Sequence, residues 1–173
     1  LAAQGKSGRV VNDWVFSLRR KAMLDIVKPS QVYLDNPATN VDEVLEFLAK
    51  KALELGITED EAAVLAAFKA REAEGTTGMM AGFAIPHCKS LAVNGASVIV
   101  VKFAGDVEWK SMDDVPIRVA IALLVPDNKA GTTYLRMLSQ LAVMLMQEEF
   151  RERVLATNDP EELAAIVNEG FEI

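Results

Sequence analysis

The chain has 173 residues, a formal net charge of −7, and 51% hydrophobic against 25% charged residues, the composition of one globular domain with a full core. Its acidity disfavours nucleic acid, whose phosphates it would repel, and it has no run of about 18 apolar residues to span a bilayer. The lone Cys88 excludes an intrachain disulfide or a multi-cysteine metal site, and the expectation is a cytoplasmic protein.

Residues 1–22 stand apart. Gly5 to Arg9 is flexible and basic, Val10, Val11, Trp14, Val15 and Leu18 recur at helical spacing, and Arg19, Arg20 and Lys21 follow. The pattern reads either as a linker helix or as sequence placed ahead of a native start at Met23. One domain is expected over 23–173.

Val32 and Leu34 suggest a short strand, ended by the Asn36-Pro37 turn. Asn40 followed by Glu43 resembles a capping box, and Val41, Val44, Leu45, Leu48, Ala52 and Leu53 make an apolar helical face that ends at Gly56. Thr58 and Glu61 repeat the start signal for a second helix, faced by Val64, Leu65 and Phe68 and stopped at Gly75, with Arg71 in its last turn. The β-branched run Ser97 to Phe103 predicts a strand, Val107-Glu108-Trp109 another, and Ile117 to Val125 a central strand covered on both faces. Leu135, Leu138, Leu141, Ala142, Leu145 and Met146 follow helical periodicity, with Met137, Met144 and Met146 expected as core filler. Phe150 to Leu155 continues as helix, and Pro160 opens the last one at a position where no amide bond is lost. The sum is an α/β fold: a single domain, a mixed sheet of about five strands and helices on both faces.

The chemistry concentrates in residues 71–89. Gly75, Gly78 and Gly82 offer positive φ and a nest of amides for an anion, while Arg71, Thr76 and Thr77 supply a fixed charge and hydroxyl donors suited to a phosphoryl group. His87 is the only histidine. A neutral imidazole can attack phosphorus and later release it; the alternative is a surface histidine or one satisfied in the core. Zinc would need ligands that are not there, and no Gly-x-Ser-x-Gly elbow supports a hydrolase. Cys88 reads as a small residue beside the site, or as a thiol nucleophile with His87 adjacent.

Arg71-Glu72-Ala73-Glu74-Gly75-Thr76-Thr77-Gly78, followed by Gly82-Phe83-Ala84-Ile85-Pro86-His87, resembles the signature of the fructose/mannitol-type enzyme IIA domains of the bacterial phosphotransferase system, a family that includes nitrogen-related regulators. The resemblance runs from about residue 24 to the C-terminus. It implies a cytosolic phosphocarrier that needs no cofactor or metal. His87 would take a phosphoryl group from the carrier protein HPr and pass it to a cysteine of an enzyme IIB domain, which feeds a membrane permease, IIC. It implies that Arg71 offsets phosphate charge and that Thr77 and Gly78 belong to the adjoining loop. The alternative is a regulatory module whose phosphorylation state controls a protein partner. Sugar-transport members usually carry a second histidine before a leucine after the Val-Pro strand; here the place reads Thr133-Tyr134-Leu135. Tyr134 can donate a hydrogen bond to a phosphoryl oxygen but cannot carry positive charge, or it is an ordinary helix-start aromatic.

Overall fold

A computed structural model of the chain describes residues 26–128 and 131–171. The apolar pattern at 10–18 lies outside the described residues. Within them are strands β1 (Val32–Asn36), β2 (Phe83–Ala84), β3 (His87–Ser90), β4 (Ser97–Val107) and β5 (Ile117–Pro126). The helices are α1 (Val41–Glu54), α2 (Glu61–Glu74), α3 (Gly131–Met146), α4 (Glu148–Ala156) and α5 (Pro160–Gly170).

β5 is the centre of the sheet. β4 pairs with one of its edges antiparallel, while β2 and β3 follow one another along the other edge, parallel to it. β1 closes the far side by pairing parallel with β4. The mixed sheet of five strands thus matches the sequence expectation. The strand predicted at Val107-Glu108-Trp109 is not a separate element. Val107 ends β4, and Glu108 makes only an isolated bridge with Asn40. The break in residue pattern after Phe103 reflects a register shift between Lys102 and Val107, where the strand irregularly continues past its apolar run.

The alternation of β5 explains why it reads as continuously apolar. Val119, Ile121, Leu123 and Val125 face one core, shared with Met137, Leu141 and Leu145 of α3, Val154 of α4 and Leu163 and Val167 of α5. Ala120, Ala122 and Leu124 face the other, shared with Val44, Leu45 and Leu48 of α1 and Val64 and Phe68 of α2. Small alanines on that second face leave room for the larger helix side chains. Helices therefore cover both faces, and a strand buried on both sides has no polar positions to alternate.

Four local readings change. The first helix is capped as predicted, with Glu43 N–H donating to Asn40 Oδ1 at 3.0 Å, but the Glu43 carboxylate accepts from the Thr39 backbone N–H and the Asn40 side-chain Nδ2 rather than from the Asn40 backbone N–H. α2 is capped by Asp60, which accepts from Ala63 N–H at 3.0 Å, not by Thr58. The buried Thr58 hydroxyl accepts from Asp60 N–H and donates to the Ala92 carbonyl, tying the turn to the β3–β4 connection. On α3 the core face is Met137, Leu141, Met144 and Leu145, while Leu135 and Met146 are 60% and 71% exposed, so Met146 is not core filler. α4 is separate from α3, the chain breaking at Gln147.

Candidate functional site

β3 opens at His87, in register with Leu123, and its neighbour Cys88 pairs with Leu124. Alternation along a strand sends these two side chains to opposite faces. His87 turns toward the α3 side and Cys88 is sealed in the α1–α2 core. Burial pushes the Cys88 thiol up to about 12, so it stays protonated and packs as a small apolar residue.

The imidazole of His87, only 5% exposed, is held at both nitrogens. Arg71 Nε approaches Nε2 at 2.8 Å, and Nδ1 lies 2.8 Å from the Ile85 carbonyl oxygen. Guanidinium can only donate and a carbonyl can only accept. These two partners therefore assign the tautomer: the proton is on Nδ1 and the lone pair on Nε2. Burial lowers the His87 pKa, the Ile85 carbonyl pulls it back up, and the Arg71 charge lowers it further, with the net direction down. At neutral pH the ring is uncharged, with its nucleophilic lone pair directed at a cation.

Arg71 comes from the last turn of α2 and is aimed by two acceptors: its Nε reaches Nε2 of His87 and its Nη1 donates to the Gly75 carbonyl, each at 2.8 Å. Tyr134, on the first turns of α3, tilts its ring 49° against the imidazole with centroids 5.8 Å apart. Burial raises the Tyr134 pKa, and the Arg71 charge opposes that rise. His87, Arg71 and Tyr134 are thus assembled from three elements far apart in sequence. Lys89 adds a cation over the outer face of the Tyr134 ring, 6.0 Å from its centroid, while pairing with Asp127 at 3.5 Å.

The residues 76–78 are placed differently from the expectation of an open anion nest. Thr77 donates both its N–H and its hydroxyl to the Glu72 carboxylate. The Thr76 hydroxyl donates to the Lys110 carbonyl and accepts from Gly78 N–H at 3.1 Å. Both hydroxyls are thus taken up by groups of the protein, and the buried Thr77 meets the need of a buried polar side chain for a partner. Of the three glycines, Gly75 is extended and only Gly82 adopts positive φ, at 82°. Gly78 is required for another reason: a Cβ there would collide with the Lys110 carbonyl oxygen.

Glu72 and Trp109 are functional neighbours that the sequence reading missed. The Glu72 carboxylate accepts from Trp109 Nε1 at 3.0 Å as well as from Thr77. The available signal was Trp109 itself, because a buried indole N–H needs an acceptor. Among the described residues no cluster of three or more His, Cys, Asp and Glu could hold a metal ion.

Residues 25–170 match the family described as the phosphoenolpyruvate-dependent sugar phosphotransferase system, EIIA 2. The chain belongs to this EIIA family. It is 33% identical over 141 residues to the PTS system fructose-specific EIIA component of Haloferax volcanii, covering 82% of this chain and 91% of that one. The crystal structure of the nitrogen regulatory protein IIA-Ntr from Neisseria meningitidis superposes with a TM-score of 0.76 at 30% identity, covering 83% and 97% of the two chains. The Escherichia coli enzyme IIAMtl, in its complex with phosphorylated enzyme IIBMtl, matches with a TM-score of 0.69 at 18% identity, covering 83% and 97%, a likeness of fold. The EIIA fold here is a single domain with a mixed five-stranded sheet, and no described helix is long and apolar enough to cross a membrane.

Proposed function

We propose that this EIIA domain is a phosphocarrier that accepts a phosphoryl group on Nε2 of His87 from the phosphohistidine of HPr and passes it to a cysteine of an enzyme IIB domain. The observation that carries the reading is the imidazole clamped between Arg71 and Ile85, which presents a lone pair on Nε2 and a proton on Nδ1. In acceptance the Nε2 lone pair forms the new N–P bond as the donor's N–P bond breaks, its electrons returning to the donor imidazole. The Nδ1 proton stays in place, and the Ile85 carbonyl that accepts it stabilises the positive charge that develops on the ring. Onward transfer reverses the roles, with a cysteine thiolate attacking phosphorus and Nε2 leaving.

Arg71 must move off Nε2 for phosphorus to approach. Its guanidinium then lies beside the phosphoryl oxygens and offsets their charge, with Tyr134 donating its hydroxyl; catalysis is by positioning and charge neutralisation. Thr76, Thr77 and Gly78 contribute by holding the loop that orients Gly75 and Ile85. The complex of IIAMtl with phosphorylated IIBMtl supports a IIB domain as acceptor, and the membrane permease IIC enters only through IIB.

A second reading has its own support. The 30% identity to a nitrogen regulatory IIA and the tyrosine at 134 suit a module whose phosphorylation at His87 controls binding to a protein partner. Incubation with phosphoenolpyruvate, enzyme I and HPr tests both readings at their shared step: acid-labile phosphate should appear on the wild type and be absent from His87→Ala. Label on the alanine variant, or none on the wild type, sinks the acceptor assignment. Transfer of that label to a IIB domain separates the carrier from the regulatory module.

A further inference from the structure

A half-buried carboxylate one residue from Arg71 accepts bonds on both of its oxygens, yet none of them comes from the reacting ring. Glu72 accepts Thr77 N–H and Trp109 Nε1–H on one oxygen, each at 3.0 Å, and the Thr77 hydroxyl on the other. The bonds join the last turn of α2, the loop after it and the segment that follows β4.

The consequence reaches His87 through backbone. Thr77 O accepts the Ile85 amide at 3.0 Å, and the carbonyl of that same Ile85 receives the Nδ1 proton of His87 at 2.8 Å. On the other side, Gly75, two residues before Thr77, offers the carbonyl that holds Arg71 Nη1. Both partners of the imidazole therefore depend on where Thr77 sits. Main-chain bonds tie the loop at Met79 and Ile85, and the Thr76 hydroxyl ties it to Lys110, but Glu72 alone takes both the N–H and the hydroxyl of Thr77. Charge-assisted bonds to that one carboxylate select where Thr77 sits.

We propose that Glu72 is a positioning residue for phosphoryl acceptance: by fixing Thr77 it sets the Ile85 carbonyl, and so decides which imidazole nitrogen carries the proton and which presents the lone pair. The proposal rests on the reading of His87 as acceptor, but its first consequence is a tautomer, which is measurable without any phosphoryl donor. His87 being the only histidine, its ring signals in a long-range proton–nitrogen NMR spectrum need no assignment.

The experiment compares wild type with Glu72→Ala, Glu72→Gln and Trp109→Phe, each checked for a cooperative thermal transition. In the wild type the Nδ1–H form should dominate. Glu72→Ala should give a mixture of tautomers, and the single-turnover rate at saturating phospho-HPr should fall roughly 10- to 100-fold, the half-saturating concentration changing less than about twofold. Glu72→Gln, which keeps an acceptor oxygen in the same shape, should restore part of both readouts. Trp109→Phe removes one donor and leaves Thr77 held, so it should keep the wild-type tautomer. A folded Glu72→Ala with the wild-type tautomer and rate overturns the proposal. Should that variant fail to fold, a folded Glu72→Leu, which has no acceptor oxygen, with the wild-type tautomer and rate overturns it instead. If the wild type takes no phosphate from phospho-HPr, the acceptor reading falls, whereas an unchanged tautomer in the folded Glu72 variants refutes the positioning role.

Discussion

His87 is held uncharged because it is buried and faces a guanidinium, and both effects penalise its protonated form. Arg71→Met removes one of the two lowering causes, so the His87 pKa should rise above its wild-type value; titration of the single histidine by NMR checks the sign. Phosphoryl acceptance should fall at least about 10-fold in the same variant, since a charge aimed at the transferred group is lost. Gly78→Ala should cost about 1–3 kcal/mol in denaturant unfolding, as the added methyl meets a backbone carbonyl that cannot swing aside. At this scale the sequence exposed the histidine and the arginine that the fold brings into contact, because a motif of spaced residue types carried them. It hid Glu72. A glutamate in the last turn of a helix looks solvated, and only packing against Thr77 and Trp109 gives it a role. Thr77 shows the reverse case, a hydroxyl that composition assigns to phosphate and the fold assigns to a neighbouring carboxylate.

Helix ends were legible where the cap is local and opaque where a tertiary partner competes. Asn40 caps α1 through a bond three residues away, and Asn40→Ala should lower stability by about 1 kcal/mol. Thr58 has the right residue type at a plausible place, but its hydroxyl donates to Ala92, 34 residues on, and Asp60 takes the cap. Lys102 is invisible to any periodicity argument. It lies on β4, and its ammonium donates to the carbonyls of Val154, Leu155 and Thr157 at the end of α4, 2.7–3.0 Å away. There it meets the negative end of the helix dipole, so Lys102→Met should cost about 1 kcal/mol and loosen α4 first, visible as faster amide exchange over 150–156. The two-residue β2 escaped notice because a strand that short carries no period.

At the scale of the molecule, β5 holds two cores apart and joins them. Ile121→Ala, at a fully buried position on the α3 side, should cost about 2–5 kcal/mol through lost burial and the cavity left behind. The pH dependence follows from His87. Its folded pKa lies below the unfolded value, so on acidification the unfolded chain takes up the proton first. The fold therefore loses stability as pH falls below about 6.5 and through the lowered folded pKa, and loses nothing from this group above it. Urea midpoints that drop over that window in the wild type and drop less in His87→Gln would confirm the sign. The sequence by itself determined the α/β class, the central strand and most of the helices, and it pointed to His87 as the candidate acceptor. Periodicity, caps and spaced motifs are local properties, written within a few turns of chain. Only the tertiary structure decided which nitrogen of His87 carries the lone pair, that Cys88 is sealed in the core and that Tyr134 lies against the imidazole. Each of these depends on groups that folding brings together from distant parts of the chain, and chemistry at a site is set by the nearest atoms, whatever their separation along the sequence.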